Sequence, residues 1–215
     1  PEIKDIATMV YVADDDFSVT VKVGDKFMVV RDIISANNNF FDLTGTDILL
    51  SSTEKPFADK KSVVLSKSAA TKLFGHLDVL GEPVNFFGID LTVSAIADDI
   101  PSNATFGADI YLNDEYTEIG LVQNCKNSDD CYLTREIYFS VLEGTDVDAL
   151  TQKMNANFPK NRTEVESVVF QPVKSIYFYE PDEFLAHKAG NKRMVWIFVT
   201  IAALTLFMSL FNYVN

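Results

Sequence analysis

Ser62-Val63-Val64-Leu65-Ser66-Lys67-Ser68-Ala69-Ala70-Thr71-Lys72-Leu73-Phe74-Gly75 holds a strand end, a helix start, a helix face and a helix stop in one run. The β-branched pair Val63-Val64 suits extended backbone. Ser66 is placed to accept a hydrogen bond from a free N–H of a first helical turn. Ala69, Ala70, Leu73 and Phe74 recur at the helical period on one face, and Gly75 supplies the left-handed residue that ends a helix. Each position has its own physical role, so this stretch predicts a strand running directly into a helix.

Upstream, Phe17 to Val23 alternates with period two, Gly24-Asp25 offers a tight turn, and Lys26 to Val30 continues as a second strand. Asn37-Asn38-Asn39 marks a loop before Phe40-Phe41 and the short apolar patch Asp47 to Leu50. Downstream, Val84 to Phe87 and Leu91 to Ala97 form a second predicted hairpin around Gly88-Ile89-Asp90, closed by the turn residues Asp98 to Asn103. Ile137 to Leu142 reads as a strand. Thr145 or Asp146 then caps a helix striped by Val147, Leu150, Met154 and Phe158, with Pro159 beyond its end. Val168-Val169-Phe170 and Ile176-Tyr177-Phe178-Tyr179 read as two further strands. Strand, helix and strand in that order predict an α+β sandwich.

The chain ends differently. Met194 to Asn215 contains no charged residue, and a helix of that length reaches about 33 Å, enough for a hydrocarbon core of ~30 Å. A transmembrane helix is expected there, preceded by an acidic water-soluble domain. Without Lys192 and Arg193, the rest of the chain holds 16 basic and 31 acidic residues, a net charge of −15. Such a domain is a poor partner for nucleic acid and for an anionic surface. Pro1 is no initiator and no signal peptide precedes it, so the sequence is expected to be an excerpt from a longer chain. Lys188, Lys192 and Arg193 lie on the domain side of the helix, and by themselves they vote for a cytoplasmic domain.

Chemistry-bearing residues are sparse. The two histidines, His76 and His187, have no ligand partner at helical spacing, and no nucleotide-binding or hydrolase motif occurs. Asp14-Asp15-Asp16, Asp98-Asp99 and Asp129-Asp130 are consecutive, whereas a calcium loop needs alternating oxygen ligands around a glycine. They read as solvated turns. Catalytic residues, cofactor and metal are therefore not expected. Cys125 and Cys131, separated by five polar residues, suit a small disulfide-closed loop worth about 2 kcal/mol in an oxidising compartment, with two free thiols as the alternative.

Six segments in order resemble the periplasmic core domain of MacB-like, or FtsX-like, ABC transporter permeases. These are Asn38/Asn39-Phe40-Phe41-Asp42, Val63 to Gly75, Gly81-Glu82-Pro83-Val84, Leu91 to Asn103, Phe139 to Leu142 with its helix, and Gln171-Pro172-Val173-Lys174-Ser175-Ile176-Tyr177. Phe211-Asn212-Tyr213-Val214-Asn215 is similar to the close of the family's second membrane span. The cysteine loop and Ala97 depart from the pattern and leave the subfamily open.

The resemblance implies an extracytoplasmic domain between the first and second of four membrane helices. It implies a porter-like α/β sandwich unit from residues 1–44 and 104–190, an inserted smaller mixed α/β subdomain at 45–103, and a transmembrane helix at 191–215. Residues 1–190 would then face the periplasm from a bacterial inner membrane, against the vote of the local charges. Implied partners are a cytoplasmic ABC ATPase subunit or domain, a second permease copy as homo- or heterodimer, and a periplasmic or outer-membrane protein. The implied role is non-catalytic: transmitting ATP-driven motion across the membrane for export or for lipoprotein or envelope handling. Ala189, Gly190 and Asn191 are the expected mechanical joint. The rival reading is an extracytoplasmic sensor or ligand-binding module of a membrane receptor.

Overall fold

The computed structural model describes residues 2–13, 18–86, 88–101, 104, 106–116, 136–157, 167–178 and 190–214. Ten strands form one mixed sheet: β1 (Ile3–Ala13), β2 (Val19–Val23), β3 (Lys26–Val30), β4 (Ile33–Ala36), β5 (Ile48–Ser51), β6 (Ser62–Ser66), β7 (Pro83–Phe86), β8 (Ile89–Ala97), β9 (Ile110–Asn113) and β10 (Glu136–Val141). The helices are α1 (Asn39–Thr44), α2 (Lys67–Phe74), α3 (Val147–Asn157), α4 (Val173–Ile176) and α5 (Lys192–Val214). Strand order across the sheet is β10-β1-β4-β9-β6-β8-β7-β2-β3, and β5 pairs with β8 off this path. Two pairings are parallel, β4 with β9 and β6 with β8, and the others are antiparallel. The expected α+β class is observed.

The central module forms as its residues dictate. All five residues of β6 are buried. Ser66 ends the strand in extended backbone, and its hydroxyl accepts a 3.0 Å bond from the Ala69 N–H. Gly75 takes the left-handed conformation at φ 87°, where its N–H reaches the Thr71 carbonyl. The side chains of β6 divide between the two faces of the sheet. Val63 and Leu65 join one apolar core with Ala69, Ala70 and Leu73 of α2 and with Ile110 and Leu112 of β9. Val64 joins a second core with Phe40 and Phe41 of α1, Phe57 and Tyr111. The central strands are covered on both faces, which is why β6 reads as a continuous apolar run.

Both hairpins also form. β2 and β3 pair without a bulge across Gly24-Asp25, with Gly24 at φ 57°, and β7 pairs with β8. Asp146 caps α3, its carboxylate accepting from the N–H groups of Asp148 at 3.0 Å and Ala149 at 3.1 Å. The segment 45–103 contributes β5 to β8, and these strands are bonded to β2 and β9 from the flanking segments. The sheet therefore continues across the positions where the subdomain division was expected.

One sequence reading is corrected. Val168 to Phe170 forms no strand, and Ile176 to Phe178 is not extended: Val173–Ile176 is a single helical turn. Pro172 starts it, its carbonyl accepting bonds from the N–H and hydroxyl of Ser175. Local bonds of this kind compete with an extended strand. Tyr179 lies outside the described residues.

The chain divides into two compact units, Pro1–Lys153 and Met154–Asn215. The second contains α5, a helix of 23 residues whose length of about 34 Å and apolar composition suffice to cross a membrane. None of its residues is buried.

Candidate functional site

Within the sheet unit, polar groups that looked available for chemistry are engaged in holding the fold. Asn38 exchanges two bonds with the Phe57 backbone, accepting from its N–H at 2.8 Å and donating to its carbonyl at 3.2 Å. This fastens α1 and its two phenylalanines, whose rings lie 5.2–5.8 Å from those of Tyr111 and Phe57. Asn37 and Asn39 both donate to the Ile6 carbonyl. The asparagine run was read as a loop and as the start of a family motif, and all three side chains are clamps.

Tyr138 donates to the buried Glu136 carboxylate. Burial, and then this bond, raise the tyrosine far above the ordinary phenol range. Tyr111, buried and accepting from the Ala108 N–H at 3.1 Å, is pushed up to about 12, chiefly by burial. Asp109 is raised by burial and then by Asp32. Asp99 accepts from the N–H and hydroxyl of Ser68 at the start of α2, as the positive end of a helix favours. These groups are dispersed, and His76 is exposed beside Phe74. Among the described residues, no set of three or more His, Cys, Asp or Glu converges as a metal site.

The second unit contains a more specific arrangement, immediately before α5. Gly190 donates its N–H to the Tyr177 carbonyl at 2.6 Å, and a Cβ on Gly190 would overlap the Tyr177 ring. A side chain at this position would therefore require the Tyr177 ring to move, a constraint of close approach and not of a left-handed backbone. Asn191 accepts from the Met194 N–H at 3.0 Å through its side chain, and from the Val195 N–H at 3.2 Å through its carbonyl, so it is the N-cap of α5. Of the expected joint residues, Gly190 and Asn191 are thus placed together, and Ala189 lies outside the described residues, as do Cys125 and Cys131. The contact of Tyr177 with Gly190 was not foreseen, because it leaves no sequence period.

Residues 1–157 match the MacB-like periplasmic core domain. The chain belongs to that family. Its membership places this MacB-like domain in a membrane permease and on the periplasmic side, and overturns the cytoplasmic placement suggested by Lys188, Lys192 and Arg193. The fold is similar to a domain assigned to a permease protein from Porphyromonas gingivalis, with TM-score 0.59, 17% identity, and 76% of this chain and 74% of that one covered. It is also similar to the periplasmic region of MacB from Actinobacillus actinomycetemcomitans, with TM-score 0.52 and 17% identity over 72% of this chain and 65% of that one. The MacB-like chain here thus spans slightly less than two thirds of that MacB region. No curated protein sequence matches it.

Proposed function

We propose that this chain is the extracytoplasmic domain and second membrane helix of an ABC transporter permease in a bacterial inner membrane, and that it passes ATP-driven motion across the membrane. The domain itself makes and breaks no covalent bonds. Hydrolysis belongs to a cytoplasmic ABC ATPase subunit or domain, and a second permease copy, identical or different, completes the transporter. A periplasmic or outer-membrane protein is the recipient of the motion, in export or in lipoprotein or envelope handling. In this reading 45–103 is an inserted subdomain by connectivity, sharing its sheet with the porter-like segments 1–44 and 104–190.

The observation that carries the reading is the order of parts: a MacB-like periplasmic core at 1–157, then a capped apolar helix. A rigid-body movement crosses from helix to domain only through a stiff connection. Gly190, closed against Tyr177, and Asn191, closed onto Met194, supply stiffness at the helix start. The test replaces Ala189-Gly190-Asn191 with a long Gly/Ser linker in the complete permease. Transport should be lost while ATP binding by the ATPase is retained. Transport that survives the linker would sink the proposal.

A further inference from the structure

Four residues of the second unit present apolar side chains to solvent in the segment that Tyr177 ties to Gly190: Val169 (78% exposed), Val173 (50%), Tyr177 (43%) and Phe178 (44%). Isolated exposed apolar residues are ordinary on a protein surface. Their position is what gives these meaning. Tyr177 is bonded to Gly190, α5 begins at Lys192, and the charge-free run begins at Met194. Gly190 lies four residues before Met194, and because Gly190 and Asn191 precede the helix that stretch spans at most about 10 Å, which holds Tyr177 close to the headgroup layer of the bilayer that α5 crosses.

The local charge agrees. This chain carries 31 acidic residues and is as a whole a poor partner for an anionic surface, yet Ser167 to Phe178 contains none and includes Lys174, with Glu164 and Glu166 before it and Glu180, Asp182 and Glu183 after it. Lys192 and Arg193 stand at the helix start. Two cations at the helix start, with Lys174 and four apolar side chains in the segment tied to it, form the pattern of an interfacial anchor, with apolar groups at the acyl boundary and cations among lipid phosphates. Val173 and Tyr177 are four residues apart across the α4 turn, a spacing that puts both on one side of it. The Tyr177 and Phe178 rings pack edge to face at 4.9 Å, and Trp196 lies one turn into α5, where aromatic residues mark membrane interfaces.

We propose that the segment Ser167–Phe178 is a membrane-surface foot, seated on the periplasmic face of the same bilayer that α5 spans, with Val169, Val173, Tyr177 and Phe178 in the interface. The surface continues the membrane contact of α5 sideways, and its occupant is lipid. The foot rests on α5 being a membrane span, which the test reads separately.

Trp196 is the one tryptophan among these 215 residues, and any tryptophan elsewhere in the complete permease is first replaced by phenylalanine so that Trp196 reports alone. The complete permease is reconstituted in phosphatidylcholine–phosphatidylglycerol vesicles, with some lipids brominated high on the acyl chain. The native Trp196 indole should be quenched, which reports α5 in the bilayer. In a Trp196→Phe background, Phe178→Trp and separately Val173→Trp should each lose most of their emission to the same lipids and be shielded from aqueous iodide. If Trp196 is quenched but both new indoles respond to iodide and not to bromine, the span stands and the foot is wrong. Indoles reached by neither quencher would mean that protein covers the segment, which also overturns the foot. Adding Lys174→Glu to Phe178→Trp should weaken the bromine quenching in the anionic vesicles, and equal quenching would remove the electrostatic part of the proposal.

Discussion

β6 and α5 are both apolar runs, and they dispose of their side chains in opposite ways. Every residue of Ser62–Ser66 is buried, divided between two protein cores, whereas none of the 23 residues of Lys192–Val214 is. The difference lies in where each run obtains its solvent. A strand spends its backbone hydrogen bonds on neighbouring strands and so arrives already surrounded by protein. A helix satisfies its backbone internally and can leave its side chains to lipid. Both threonine hydroxyls of α5 follow that rule, since Thr200 and Thr205 each donate at 2.8 Å to the carbonyl four residues earlier.

The sharpest way to break the comparison is to truncate the same residue type in both places. Leu65→Ala leaves a cavity between fully buried neighbours and should lower stability by about 2–5 kcal/mol in denaturant unfolding. Leu204→Ala, in α5, should change membrane insertion by only about 0.5 kcal/mol, because lipid fills what the side chain vacates. Equal losses at the two positions would mean that protein, not lipid, surrounds α5. A charge should reverse the order within the helix: Leu204→Arg is expected to oppose insertion by about 3 kcal/mol, read as protein lost from the membrane fraction.

A smaller effect tests the joint between β6 and α2. Ser66→Ala removes the acceptor for the Ala69 N–H and should destabilise the domain by about 1 kcal/mol in thermal unfolding. The smallest effect concerns the acidic surface beside it. Burial and Asp32 raise Asp109 above its ordinary value of 3.8. A carboxyl raised by folding contributes stability fully below its unfolded value and loses it as pH rises through the folded one. Asp109→Asn should therefore stabilise the domain at neutral pH, and the gain should shrink to nothing as pH falls below about 3.8. A gain that persists in acid would point to a cause other than ionisation.

Much of the fold was legible where single residues decide single bonds. Ser66, Gly75 and Asp146 terminate helices through their own side chains or backbones, and the hairpin of β2 and β3 follows from Gly24 and strict alternation. What distant pairing decides was not legible. No period in Ile33–Ala36 or Ile110–Asn113 announces that these two strands lie parallel and adjacent. Ile176 to Phe178 resembled a strand by composition, yet Pro172 and Ser175 had already committed the backbone to a turn. At the candidate joint, Asn191 was readable as a residue before an apolar helix. Its companion Tyr177 was not, since thirteen positions separate it from Gly190 and only a folded chain brings them together.

The pairing of β1 with β10 has a mechanical consequence. Ile3 lies opposite Val141, the Leu142 N–H bonds to the Glu2 carbonyl at 3.0 Å, and Lys153 grips the Glu2 carboxylate at 2.8 Å. Two antiparallel strands gripped at the same end yield like a zipper, one rung at a time, whereas strands pulled from opposite ends resist in shear with all rungs loaded together. Tension between Glu2 and Leu142 therefore finds the weaker of the two geometries. The Glu2 contacts are the first rung such a load meets, and the rungs behind them open one after another.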